Sequence, residues 1–233
     1  MATYEHTIKV FDDEIGQLRG LIAQMGGLAE QAIGDAIEAL KRHDLETAAE
    51  IVRNDKKIDQ LEVQAEELAV RIIALRAPLA DDLRDVVAAL KIAGVIERIA
   101  DYAKNIAKRT PLIDSHSEIE PLSVLPAMAA LAIEMVHDVL DAFAARDPEA
   151  AQQVCARDRA VDDFYNSLFR VLVTHMMENP ATIGQVTHLL FIAKNLERIG
   201  DHATNIAEMV YFAATGTHMA ERDRGAFVTR QGE

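Results

Sequence analysis

The feature that most constrains this chain is that much of it occurs twice. Residues 90–107 return as residues 190–207 with 11 identities in 18 positions. Upstream the relation continues at an offset of 103: Met25, Ala29, Asp35, Ala39 and Asp44 recur as Met128, Ala132, Asp138, Ala142 and Asp147. Asp55 and Asp59 recur in the same way as Asp158 and Asp162, and Pro78 and Pro180 fall at corresponding places. Two copies of one pattern carry the same faces to bury, so they fold as two linked copies of one supersecondary unit.

The unit is helical. Apolar residues recur at three- and four-residue spacing, as in Leu18, Leu21, Ile22, Met25, Leu28, Ala32, Ile33, Ala36, Ile37 and Leu40, and no strand-like alternation bounded by turn residues is found. The fold class is therefore all-α. Breaks fall at His43-Asp44, Ala77-Pro78, residues 110–121, Asp147-Pro148 and Asn179-Pro180, where an Asp or Asn cap or a proline ends one helix and admits the next. Six helices are expected, near 7–42, 44–76, 79–109, 121–145, 147–177 and 180–213. Three helices joined by short loops close into an antiparallel bundle. The expected organisation is two tandem three-helix bundles, a first repeat over 5–110 and a second over 121–213, joined by a proline-bearing linker and followed by a loose tail over 214–233.

Composition narrows the function. Half of the residues are hydrophobic but only 5% are aromatic and none is Trp, so Ala, Leu, Ile and Val do the packing and helices approach closely. Against 24 Lys and Arg stand 38 Asp and Glu, a net charge of −14, the wrong sign for a nucleic-acid partner. A cation, a basic surface or plain solubility suits it better. The single Cys155 excludes an intramolecular disulfide and a thiolate metal cluster, which points to a reducing compartment, by default the cytoplasm. Met1-Ala2-Thr3-Tyr4-Glu5-His6 lacks the basic and apolar regions of a signal peptide, and no apolar run reaches the roughly 20 residues of a membrane span. Neither export nor membrane insertion is expected, although docking on a membrane protein is open.

The best preserved part of the repeat carries acids. It reads Glu97-Arg98-Ile99-Ala100-Asp101-Tyr102-Ala103-Lys104-Asn105 in the first copy and Glu197-Arg198-Ile199-Gly200-Asp201-His202-Ala203-Thr204-Asn205 in the second. Residues four apart on a helix differ by about 40° in azimuth, so Glu, Asp and Asn form one gently drifting stripe. The preceding helix of each copy adds Asp55 and Asp59, or Asp158 and Asp162, at the same spacing. If the two stripes face each other, each repeat collects up to four carboxylates and an amide. A cation relieves the repulsion between them, and oxygen-only donors select a hard ion such as Mg, Mn, Ca or oxidised Fe. A solvated acidic face is the other reading; the doubling, with small residues Ala93, Ala103, Ala193, Gly200 and Ala203 nearby, weighs toward the cation. Arg98 and Arg198 pair with these acids or face a partner, and His202 has Tyr102 as its repeat mate, which gives no support to a shared metal role.

At these residues, and at Phe11-Asp12-Asp13-Glu14-Ile15 and Met25-Gly26-Gly27, the chain resembles the PhoU family over roughly residues 5–213. The resemblance implies two similar three-helix bundles whose repeated acidic motifs bind metal ions, in some members as multinuclear clusters. Carried over by position, the expected ligands are Asp55, Asp59, Glu97, Asp101 and Asn105, then Asp158, Asp162, Glu197, Asp201 and Asn205. The expected ions are Mg, Mn or Fe. The expected role is that of a negative regulator of the phosphate-starvation response, a non-enzymatic adaptor between the nucleotide-binding subunit of the phosphate ABC transporter and its sensor histidine kinase, and a homodimer. Asn54 facing Arg157 and Tyr102 facing His202 imply that the two sites differ. A carboxylate-bridged metalloenzyme is the catalytic alternative, but a ferritin-like site needs two Glu-x-x-His pairs and only Glu134-Met135-Val136-His137 has that spacing. A metal-free helical scaffold is the structural one.

Overall fold

A computed structural model describes residues 2–114 and 124–219 of the chain. Six α-helices carry the fold: α1 (Ala2–Arg42), α2 (Leu45–Arg76), α3 (Asp81–Ala107), α4 (Leu125–Ala145), α5 (Pro148–Glu178) and α6 (Ile183–Thr215). Short 3-10 turns at Thr110–Leu112 and Pro180–Thr182 follow α3 and precede α6. The start expected for α4, at 121, and most of the tail fall outside the described residues.

The loops show why the chain turns where it does. Asp44 accepts hydrogen bonds from the amides of Glu46 and Thr47 at 3.0 Å each, and Asp147 accepts one from the amide of Ala150 at 2.9 Å. These are N-caps of α2 and α5, satisfying donors that a helix start leaves unpaired. Each follows a residue in the left-handed region, His43 at φ 53° and Arg146 at φ 55°. The amide of Asp44 reaches back to the carbonyl of Ala39 at 2.8 Å, and that of Asp147 to Ala142 at 2.9 Å. One loop geometry therefore serves both repeats, closing one helix and opening the next. The other hairpins depart from the expected starts at 79 and 180. After Pro78 the chain passes through Ala80 at φ 48° before α3 begins, and Pro180 opens a 3-10 turn before α6 begins.

Within each unit all three helices pack on one another, and the units join through α1 on α4 and α3 on α6. The buried side chains form a single core running through both, with Ile22, Met25, Ile33, Ile96, Ile99 and Ile106 of the first unit among those fully enclosed. Each such side chain contributes about 1.5–3 kcal/mol of burial. Gly26 marks how tightly the units meet: a Cβ there would lie 2.2 Å from Leu140 Cδ1 of α4. Asp85 of α3 fastens the same junction, bonded at 3.0 Å to Arg19 of α1 and at 3.0 Å to Arg146 at the end of α4. This core fixes α2 beside α3 and α5 beside α6, which is what sets the acidic faces against each other.

Candidate functional site

Ile96, Ile99, Ala100 and Ala103 bury one side of α3, and Leu196, Ile199, Gly200 and Ala203 bury the same side of α6. Glu97, Asp101 and Asn105, and their mates Glu197, Asp201 and Asn205, are left half-buried along the edges facing α2 and α5. From the opposite helices come Asp55, which is buried, and the exposed Asp59 in the first repeat, then Asp158 and Asp162, both half-buried, in the second.

In the first repeat the gap between the stripes is bridged. Lys104 of α3 donates to Asp55 Oδ2 of α2 at 2.5 Å and pairs with Asp101 on its own helix. Burial of the amine works against its charge, but hydrogen bonds to Asp101 and Asp55 hold the ammonium well above the ordinary lysine range. At the other end of the stripe the cation in reach of Glu62 is Arg98. Burial pushes the Glu97 carboxyl up, and Asp101, Glu62, Asp59 and Asp55 add to the rise. Glu62 of α2 is likewise pushed up by burial and by Glu66 and Asp59. Its Oε1 lies 3.2 Å from where a Cβ on Gly94 would stand, so its carboxylate rests on the α3 backbone.

The second repeat reverses this arrangement. At the position of Gly94 stands Lys194, bonded to Glu197 Oε1 at 2.5 Å and lying 5.1 Å over the Tyr165 ring, where the first repeat has Glu62. Glu197 Oε2 is buried with no hydrogen-bond partner. Its carboxyl is pushed up by burial, against the Lys194 hydrogen bond. At the position of Lys104 stands Thr204, almost fully buried, whose hydroxyl donates to the Asp201 carbonyl at 2.7 Å. Asp162 is pushed up by burial and by the facing Asp201. A cavity of about 840 Å³ opens here, lined by Asp158, Asp162, Glu197, Asp201 and Asn205 among others.

Tyr102 and His202 meet where α3 crosses α6, their rings stacked with centroids 5.5 Å apart. His202 also contacts Asn205, at 3.4 Å, and burial holds its imidazole below the ordinary range. It joins the two repeats. His137 stands elsewhere, exposed, against Glu30 of α1 at 3.3 Å, so it adds nothing to either acidic cluster.

Among the described residues no group of three or more His, Cys, Asp and Glu side chains is set to hold a metal ion. The fit of an ion to the two donor sets differs. In the first repeat an ammonium already stands between Asp55 and Asp101. In the second, carboxylates from two helices line the cavity, and Glu197 Oε2 is buried without a hydrogen-bond partner. Three participants escaped the sequence reading: Lys104, Lys194 and Glu62. The signal for each was present, since Lys104 faces Thr204, Lys194 faces Gly94 and Glu62 faces Tyr165 in the aligned repeats.

The family description "PhoU domain" matches residues 22–110 and again 125–210. A Zymomonas mobilis protein named phosphate-specific transport system accessory protein PhoU homolog is 60% identical over 94% of this chain and 93% of its own length. A Caulobacter vibrioides protein of the same name is 46% identical over 94% of this chain and 95% of its own. Among solved structures, PhoU from Pseudomonas aeruginosa superposes with a TM-score of 0.85 at 37% identity, covering 89% of this chain and all of that one. The phosphate transport system regulatory protein PhoU from Streptococcus pneumoniae gives 0.84 at 28% identity, covering 91% and all of that chain.

Proposed function

The chain belongs to the PhoU family, and on that premise we propose that it is an accessory regulator of phosphate transport that restrains the phosphate-starvation response while phosphate is plentiful. The observation that carries this reading is the family match over both repeats together with 60% identity, across almost the whole chain, to a relative named as a phosphate transport accessory protein. The relatives are named for an accessory role, which fits a protein that works by contact and not by catalysis.

The contacts we assign are with the nucleotide-binding subunit of the phosphate ABC transporter and with the sensor histidine kinase, from the cytoplasmic side and as a homodimer. No helix among the described residues is long and apolar enough to cross a membrane, and the adaptor role needs only docking. Leu75 and Leu79 at the end of the α2–α3 hairpin, and Met177 at the end of the α5–α6 hairpin, expose apolar surface that suits such contacts. A single core through both units supports a rigid body, so that a change at one docked partner is felt at the other.

A hard cation belongs to the same reading. Asp158, Asp162, Glu197, Asp201 and Asn205 would hold it, and when bound it supplies positive charge that ties α5 to α6. The packing of Ile199, Gly200 and Val161 fixes the height of α6 against α5, and Lys194 steadies Glu197 at one end.

Deletion of the gene tests the regulatory role. A phosphate-starvation reporter such as alkaline phosphatase should become active in phosphate-rich medium; unchanged reporter activity, with transporter and kinase present, would refute it.

A further inference from the structure

We infer that the groove between α1 and α2 in the first repeat is a docking pocket for an arginine side chain of a partner protein. The pocket stands apart from the cation reading above; only the identity of the docked protein rests on the proposed regulatory role.

The groove opens into a cavity of about 290 Å³. Ile51 and Ile58 of α2 and Ala100 of α3, all nearly buried, form its floor together with Leu28 of α1. Two acids stand nearer the solvent, the half-buried Asp35 of α1 and the exposed Glu50 of α2. Asp35 has no hydrogen bond or ion pair among the described residues, and Glu50 accepts only a long contact from Asn54, at 3.5 Å. The buried Asp55 lines the cavity too but is already paired with Lys104, and Lys57 contributes to the lining from an exposed position. An apolar floor below free carboxylates suits a long cationic side chain, whose methylene stem packs on the floor while its charged head stays near water.

The second repeat identifies that side chain. Arg157 stands at the position of Asn54, and its guanidinium is bonded to Asp138, the mate of Asp35, joining α5 to α4. The cavity beside this pair, about 320 Å³, is lined by Arg157 and Asp138 but by none of Leu131, Val154 and Val161, the mates of Leu28, Ile51 and Ile58. Val154 and Val161 are 0% and 1% exposed, against 7% and 3% for Ile51 and Ile58. The scaffold thus covers the groove with its own arginine in one repeat and leaves it open in the other. Where the second repeat has Gln153, the first has Glu50, which adds an acceptor for an incoming guanidinium. Arginine is favoured over lysine there because its planar fork donates to two acceptors at once.

The test titrates the isotope-labelled full chain with the peptide acetyl-Gly-Arg-Gly-amide and follows backbone amide shifts by nuclear magnetic resonance. Wild type is expected to respond over 28–35 and 50–58 and to bind the lysine analogue of the peptide more weakly. Asp35→Asn, which removes the carboxylate, and Asn54→Arg, which copies the second repeat and fills the pocket from within, should each weaken binding about tenfold, the loss of one charge-assisted pair. Asn54→Gln, which adds no charge, should keep it, and Arg157→Asn should open a second response over 131–138 and 153–161. Circular dichroism checks that each variant is folded. Shifts spread over the acidic faces of both repeats, or binding unchanged in Asp35→Asn and Asn54→Arg, overturns the inference. In cells, Asn54→Arg should release the phosphate-starvation reporter in phosphate-rich medium and Asn54→Gln should not; full repression by Asn54→Arg overturns the assignment of the pocket to a partner. A gene deletion that leaves the reporter silent overturns the regulatory role instead, and the peptide result stands without it.

Discussion

The two repeats share a scaffold and differ in how each disposes of its acids. Ile99 and Ile199 are both fully enclosed, and the caps at Asp44 and Asp147 have the same geometry, yet Lys104 faces Thr204, Gly94 faces Lys194 and Glu62 faces Tyr165. Each repeat thus carries one lysine among its carboxylates, placed at opposite ends of the stripe. In the first, the lysine pairs with acids of two helices; in the second, it pairs with an acid of its own helix and lies over an aromatic ring of the facing one. A core position is tied to its neighbours on every side and keeps its volume, whereas a half-buried edge tolerates changes of charge. Duplication therefore preserves the bundle and frees its acidic edges to diverge.

The largest expected effect tests the likeness of the two. Ile99→Ala and Ile199→Ala should each cost about 2–5 kcal/mol, the price of a core cavity, and the two values from urea unfolding should agree within ~1 kcal/mol. Both should unfold the chain in a single transition, because the core is continuous. Two separate transitions would show that the repeats are independent units.

A smaller effect tests the difference. In metal-free protein, Lys104→Thr should lose about 1–3 kcal/mol, since it leaves the buried Asp55 facing Asp101 without its counter-ion. Thermal melts in EDTA decide this, and a variant as stable as wild type would mean that the lysine bridge does not hold α2 to α3.

The smallest effect is the dependence on pH. Glu62, Glu97, Asp162 and Glu197 are held above their ordinary values, chiefly by burial. A carboxyl so raised binds its proton more tightly folded than unfolded. The stability it contributes is full below the unfolded value and is lost as pH rises through the folded one. Metal-free protein should thus gain stability as pH falls from 7 toward 5. His202, held below 6.5, opposes this on the acid side, so the cleaner measurement is in a His202→Gln background. A flat profile in EDTA would show that the acids do not strain the metal-free fold.

The all-α class, the six helices, the repeat and the acidic stripes were legible because each depends on spacing along one helix. Asp44 and Asp147 marked helix starts for the same local reason. Starts at Asp81 and Ile183 were harder, since a proline limits where a helix begins without saying how many residues the turn before it takes. The acidic site was half legible. A stripe's azimuth follows from residue spacing, which placed Glu97, Asp101 and Asn105 on one edge, and their mates likewise. The height of one helix against the next does not follow from spacing. It is set by Ile, Val and Ala packing across α2, α3, α5 and α6, and that packing delivers the Lys104 ammonium to Asp55, 49 positions away, while it sets Lys194, paired with Glu197 of its own helix, over the Tyr165 ring of α5. The sequence by itself determined that there would be two acid-bearing bundles; only the tertiary structure decided which acids each lysine meets, because an ion pair between helices depends on their relative register.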